Sequence, residues 1–161
     1  METPGIDWRM SALVRAISQR DSGAVRAALA AGDDPNMECD EITPLHMATS
    51  LGPVESVKIL LEAGANTEAT DDLGSTPLHY AAMSNLADTA AVAKALIDAG
   101  SVVSAVDHRA RTPLDYAAGF KHEAFARVLI GAGATCRREY KNWCERIVDK
   151  DPPASGKDMT R

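Results

Sequence analysis

One six-residue phrase occurs three times in this chain. It reads Thr43-Pro44-Leu45-His46-Met47-Ala48, then Thr76-Pro77-Leu78-His79-Tyr80-Ala81, then Thr112-Pro113-Leu114-Asp115-Tyr116-Ala117, at intervals of 33 and 36 residues. A phrase returning at that period means stacked units that bury their apolar faces against one another, and such stacks present an extended binding surface.

The phrase is chemically readable as a helix start. Threonine caps, because its side-chain oxygen can satisfy an orphan backbone N–H. Proline follows at the first helical position, where its missing N–H costs nothing. Leucine and alanine then fall on the buried stripe. A second phrase confirms the period: Ala-Gly occurs at Ala31-Gly32, Ala63-Gly64, Ala99-Gly100 and Ala132-Gly133. Each follows an apolar helical pattern and supplies the glycine a helix C-terminus favours. Those patterns are Val54, Val57, Leu60 and Leu61, then Ala93, Leu96 and Ile97, then Ala126, Leu129 and Ile130. Four units result, although three carry the full phrase.

The first unit is degenerate. Ser11-Ala12-Leu13-Val14-Arg15-Ala16 stands where the phrase belongs, and Asp7 is the candidate cap for a helix with the stripe Met10, Leu13, Val14 and Ile17. An end unit has one face without a neighbour and must be made soluble, so degeneracy reads as capping. At the other end Tyr140, Trp143, Cys144 and Ile147 fall at i, i+3, i+4 and i+7. They describe an amphipathic helix covering the last unit. From Asp151 the chain reads as a mobile tail. The organisation expected is one domain over 1–150, with units at about 7–38, 39–71, 72–107 and 108–135. A capping helix follows at about 138–149, and a tail at 151–161.

Composition agrees with helix-on-helix packing. The chain holds 28 alanines, and aromatics are only 4%. Net charge is −6, which argues against general nucleic-acid binding, since that needs a basic face. Cys39, Cys136 and Cys144 give an odd count without metal-ligand spacing, so the expectation is reduced thiols in a cytosolic protein. Residues 1–5 carry no basic region followed by an apolar core, and no run approaches the roughly 20 apolar residues that span a bilayer. A soluble, cytoplasmic protein is expected, monomeric when free and with no membrane partner.

The Thr-Pro-Leu-His-x-Ala phrase at a period near 33, with Ala-Gly closing each second helix, resembles the ankyrin repeat. The resemblance covers about residues 7–135. It implies an all-α solenoid, a right-handed stack of helix–turn–helix units joined by projecting β-turn fingers. It also implies that His46 and His79 hydrogen-bond the threonine and the neighbouring repeat, as structural glue and not as catalytic bases. Asp115 replaces that histidine in the last unit, so the fourth interface is expected to be looser. The third unit carries three extra residues near 84–89, between its helices. They are a harmless loop insertion or an edge that lengthens a contact surface.

Members of this family bind through their fingers and the exposed side of each first helix. The resemblance therefore places partner-contacting positions at Asp40, Glu41, Ile42 and Leu51 in the second unit. Asp72, Leu73, Ser75 and Met83 follow in the third, and His108, Arg109, Arg111 and Phe120 in the fourth. Cys39, Ser50, Ser84 and Gly119 lie beside them. Residues 33–41 hold Asp33, Asp34, Glu38, Asp40 and Glu41 with no base; the last finger carries His108, Arg109 and Arg111 against Asp107. The groove would run from acidic to basic, and a partner would present the complementary order. The alternative is that these are solvated loops, which are ordinarily charged.

No Gly-x-Ser-x-Gly, Walker, Gly-x-Gly-x-x-Gly or His-Glu-x-x-His motif is present. A thiol–imidazole pair of Cys39 and His46 would need His46 free of its repeat role and Cys39 off an open finger. The reading is a non-catalytic protein-binding module without cofactor or metal. It would act as a partner-specific binder or inhibitor, or alternatively as an adaptor bridging two partners; an enzyme on a repeat scaffold is the minor alternative.

Overall fold

The computed structural model describes residues 11–149. Four helix pairs follow one another: α1 (Ala12–Ser18) with α2 (Ser22–Ala30), α3 (Pro44–Leu51) with α4 (Val54–Glu62), α5 (Pro77–Met83) with α6 (Thr89–Asp98), and α7 (Pro113–Phe120) with α8 (Glu123–Gly131). A 3-10 turn, Arg138–Tyr140, leads into α9 (Lys141–Asp149). The odd helices pack on one another along the stack, as α1 on α3, α3 on α5 and α5 on α7. The even helices form a second layer, α2 on α4, α4 on α6 and α6 on α8. Among the described residues the only β pairing is the isolated bridge between Cys39 and Ile42, so the molecule is an all-helical repeat solenoid.

Identical local chemistry closes every pair. Gly32, Gly64, Gly100 and Gly133 all have positive φ, from 86° to 105°. The residue after each returns its N–H to the last turn of the helix, as Ala65 does to the Leu60 carbonyl at 2.9 Å and Ser101 to that of Leu96 at 3.0 Å. That is the Schellman closure, which requires a left-handed residue and so selects glycine. The interval between α3 and α4 is Gly52-Pro53, whereas residues 84–88 separate α5 from α6. The three extra residues of the third unit therefore lie between its helices.

The core is one continuous cluster from Leu13 to Ile147, dominated by leucine, alanine and valine. Phe125 is its largest fully buried side chain. Small side chains let helices approach closely, which is why few aromatics suffice. Two expectations for the ends need correction. Ser11, not Asp7, stands at the N-cap of α1, where its hydroxyl accepts from the Val14 N–H; Asp7 and Met10 lie outside the described residues, as do 151–161. Asp33 reinforces that cap, accepting from Ser11 Oγ at 3.1 Å and from the Leu13 N–H at 2.9 Å. It belongs to the helix start and not to an acidic finger. The thiol expectation also fails. Cys136 and Cys144 form a disulfide with Cα atoms 6.6 Å apart, fastening the segment before the 3-10 turn to α9. Cys39 alone is a free thiol among the described residues.

The repeats are joined through the phrase histidines. The Thr43 N–H donates to His46 Nδ1 at 3.2 Å, so Nδ1 is an acceptor. Nε2 must then carry the proton, and it donates to the Ser75 carbonyl of the next unit at 3.1 Å. His79 repeats this, accepting from the Thr76 N–H at 3.1 Å and donating to the Arg111 carbonyl at 3.0 Å. Both imidazoles are fully buried. Burial holds their pKa values below the ordinary histidine value, against the backbone acceptors that favour protonation.

The sign of the pH effect follows. Above about pH 6.5 folded and unfolded chains both carry neutral histidine. Below it, the unfolded chain takes up protons that the folded chain refuses, and stability falls. Urea unfolding is expected to show a loss between pH 6.5 and 5, at most about 1.4 kcal/mol per pH unit for each histidine. In the double variant His46→Gln/His79→Gln that slope flattens, while overall stability drops. An unchanged slope in the variant would contradict the assignment.

Candidate interaction surface

Each finger is a tight turn placed just before an inner helix. In the third unit Asp71 donates its N–H to the Ser75 carbonyl at 3.1 Å and accepts from the Gly74 N–H at 3.0 Å. In the fourth, Asp107 and Arg111 make the matching bond at 3.0 Å, and the Ala110 N–H donates to the Asp107 carbonyl at 2.8 Å. Both turns need a left-handed residue, filled by Gly74 (φ 75°) and by Ala110 (φ 55°). The fingers also touch: the His108 N–H donates to the Leu73 carbonyl at 2.9 Å. A Cβ on Gly74 would lie 2.7 Å from the His108 ring, so this glycine serves close approach as well as φ.

A carboxylate and a phenol lock these turns. Asp71 Oδ1 accepts from the N–H groups of Leu73 and Ser75 at 2.9 and 2.7 Å, while Oδ2 accepts from the Tyr80 hydroxyl at 3.0 Å. Asp107 does the same with Arg109, Arg111 and Tyr116, the last at 2.7 Å. The Tyr80 ring meets the His46 ring edge-on, centroids 4.9 Å apart, and Tyr116 meets His79 at 5.9 Å. One tyrosine thus ties its own finger to the previous repeat's histidine. Burial and the hydrogen bond to Asp71 push the Tyr80 hydroxyl up to about 12. Burial works against the charge on Asp107. Bonds from Tyr116, from the Arg111 and Arg109 N–H groups and from the Arg111 guanidinium outweigh it, holding the carboxyl well below the usual carboxylate range.

Sequence reasoning missed this lock, although its signal is in the chain. Aspartate stands five residues before the phrase threonine, and tyrosine four after it, in both units that have the longer turn. The second unit has Glu38 and Met47 at those places. Its finger is a two-residue hairpin instead. Cys39 and Ile42 exchange backbone bonds of 2.7 and 3.2 Å, and Asp40 and Glu41 both sit at positive φ, 49° and 66°. That is the type I′ arrangement, unusual for non-glycine residues.

The expected contact residues divide by exposure. Asp40, Glu41, Asp72, His108 and Arg109 are exposed, as are Leu51, Leu73 and Phe120, each about half accessible; Ile42 and Met83 are half-buried. Ser75 is 3% exposed: its backbone serves the Asp71 lock and the His46 bond, so its side chain is not a contact surface. Ser84 is likewise buried, donating to the Ser50 carbonyl at 3.2 Å. Cys39 is 2% exposed and does not sit on an open finger. Burial, then the charge of Asp40, raises its thiol pKa, which disfavours a thiolate. Arg111 is not an outward charge. Its guanidinium pairs with Asp107 Oδ2 at 3.1 Å, lies 4.4 Å over the Tyr116 ring and hydrogen-bonds the Tyr116 hydroxyl. At corresponding finger tips, three residues before each phrase, stand Asp40, Leu73 and Arg109.

The last unit is not left without a link at Asp115. Its Oδ2 accepts from the Thr112 N–H and hydroxyl at 2.8 and 3.0 Å. Arg137, from beyond α8, places Nε 2.9 Å from the same oxygen. Where His46 and His79 donate forward to the next finger, Asp115 receives a charge from the following segment. The looser interface expected there is replaced by an ion pair.

The two tandem matches of a family model for ankyrin repeats (3 copies) cover residues 2–71 and 63–140. The chain belongs to the ankyrin-repeat family. It is 45% identical over 69 residues to the potassium channel KOR1 of rice, matching 42% of this chain and 8% of the channel. It is 44% identical over 64 residues to human Rabankyrin-5, covering 40% of this chain and 6% of that protein. An ankyrin repeat protein of Rickettsia bellii is 54% identical over 43 residues, 27% of this chain and 18% of the relative. The chain thus spans under a fifth of each of these relatives. Membership makes it a protein–protein interaction module. Among the described residues no helix is long and apolar enough to cross a membrane, and no cluster of His, Cys, Asp and Glu is placed to hold a metal ion.

The lock can be weighed. Asp107→Asn removes the charge that four backbone and side-chain groups converge on, and is expected to cost about 2–3 kcal/mol in urea unfolding at pH 7. Tyr116→Phe should cost about 1 kcal/mol. Asp72→Asn, at an exposed finger position, should stay within about 0.5 kcal/mol. Equal effects at Asp72 and Asp107 would contradict the lock.

Proposed function

We propose that this chain is a non-catalytic, partner-specific protein binder that acts by occupying or masking its partner. The observation that carries the reading is the graded row of tips, Asp40, Leu73 and Arg109, held on a frame whose histidines, aspartates and tyrosines are already committed to structure. A surface whose outward residues change from unit to unit while its frame repeats is suited to reading one partner's sequence of charges and apolar groups. The acidic half is pronounced: from Asp33 to Asp72 there are ten acids and one base, Lys58. From Asp107 to Asp149 there are eight bases and six acids. Opposite order in the partner would steer encounter and fix orientation.

The described chain is one uninterrupted stack, which favours a single partner over a bridge between two. The Cys136–Cys144 bond is of the kind that persists in oxidising surroundings, so a cytoplasmic location is not part of the reading.

The test is affinity capture from the native source, with the full chain and with His108→Glu/Arg109→Glu. Arg111 is left intact because reversing it would break the finger. A partner retained by the native chain should be recovered at least tenfold less with the variant at low salt, the gap closing at high salt. Equal recovery at low salt would contradict the charge-ordered surface.

A further inference from the structure

Among the described residues the inner row of helices ends at α7, and the side of α7 that would receive a further inner helix is only partly covered. A hollow of about 330 Å³ remains there. Its walls are the rings of Tyr116 and Phe120 on α7 and of Tyr140 in the 3-10 turn, and Arg111 and Arg137 border it. Phe120 is 53% exposed, although it is a large apolar side chain; it stacks on the His122 ring, 5.8 Å between centroids. Three aromatic walls with an exposed member favour an incoming ring, which can pack edge-to-face and beneath a guanidinium.

The electrostatics of the rim point to a carboxylate beside that ring. The two acids nearest the arginines are already matched, Asp107 to Arg111 and Asp115 to Arg137. A guanidinium has five N–H donors. Arg137 meets Asp115 through Nε, 2.9 Å from Oδ2, and one carboxylate oxygen does not use all five of its donors. Arg109 and Arg138 are exposed nearby in the sequence, while Glu139 stands at the rim and Lys141 pairs with Glu145 at 3.7 Å. The wall bearing Arg137, Glu139 and Tyr140 lies wholly inside the loop closed by Cys136 and Cys144. The disulfide therefore limits how far that wall can open.

We propose that this hollow receives one aromatic side chain of an acidic segment of the partner protein, with a neighbouring carboxylate of that segment on Arg137, and that the Cys136–Cys144 loop holds the receiving wall. The inference rests on the protein-binding reading and adds the chemistry of its C-terminal contact. It places the partner's acidic end at the basic end of the stack.

The probe is the acetylated and amidated peptide Glu-Asp-Phe-Asp-Glu, titrated into the ¹⁵N-labelled full chain. Amide shifts are expected at Tyr116, Gly119, Phe120 and residues 137–140. Phe120→Ser, an exposed position that folding does not need, should weaken binding at least fivefold. Ala in place of the peptide's Phe, or Lys in place of its acids, should do the same. The Cys136→Ser/Cys144→Ser variant, checked for helix content by circular dichroism, should also bind at least threefold more weakly.

Shifts confined to Asp40, Leu73 and Arg109 would overturn the hollow while leaving the finger reading intact. No shifts anywhere would overturn it too, as would equal binding of the lysine peptide. Unchanged affinity in the cysteine variant would overturn the role of the loop. A tenfold gain on removing 151–161 would assign the hollow to this chain's own tail and overturn the partner assignment.

Discussion

The structure depends on one bond made twice: an imidazole Nε2–H donated to the backbone carbonyl that ends the next repeat's finger, from His46 to Ser75 and from His79 to Arg111. A repeat cannot bury its apolar face alone, so each unit must find its neighbour in one register. Hydrophobic contact is non-directional and would tolerate some sliding of alanine-rich helices. A buried imidazole with both nitrogens engaged does not tolerate it. Displacing either partner leaves a polar group unsatisfied inside the stack, at a cost of about 1–3 kcal/mol. The helices supply the bulk of the stabilisation, and the histidines set the alignment.

From that bond the finger geometry follows. The carbonyl that receives His79 belongs to Arg111, whose own N–H and guanidinium both go to Asp107. Asp107 is held in turn by the tyrosine that packs on His79. The circuit is closed by frame residues, and at the tips beside it the chain reads Asp, Leu and Arg. On the proposed reading, binding falls to what the frame leaves over. Arg111 illustrates the distinction: it resembles a binding charge in the sequence and is a structural one in space.

Much of this was legible in the sequence. The threonine caps, the Ala-Gly closures and the second-helix stripes are local, and local chemistry determines them. The three-residue insertion was placed by comparing units alone. What escaped were pairings between distant positions. Ser75 reads as a small polar loop residue, yet it is buried because its carbonyl is wanted by a histidine 29 positions earlier. Asp33 reads as part of an acidic finger but caps a helix that precedes it by some 20 residues. Cys136 and Cys144 read as stray thiols because an odd count hides one pair and one buried single. Asp115 reads as a weakened histidine, since nothing local announces that Arg137 will return to it. For Ser75 the partner lies in another repeat, for Asp115 and the cysteines beyond the last, and for Asp33 some 20 residues back in its own unit; periodicity announces none of them.

The protonation pattern of the two buried imidazoles is the most direct test of the frame. Long-range ¹H–¹⁵N correlation spectra of the full chain resolve which ring nitrogen carries the proton. His46 and His79 are expected as neutral Nε2–H tautomers at pH 7. They should hold that form to below the ordinary histidine pKa of about 6.5, with slowed exchange of the Nε2 protons. Nδ1–H tautomers, or titration of both rings at the ordinary value, would contradict the claim that these histidines align the repeats.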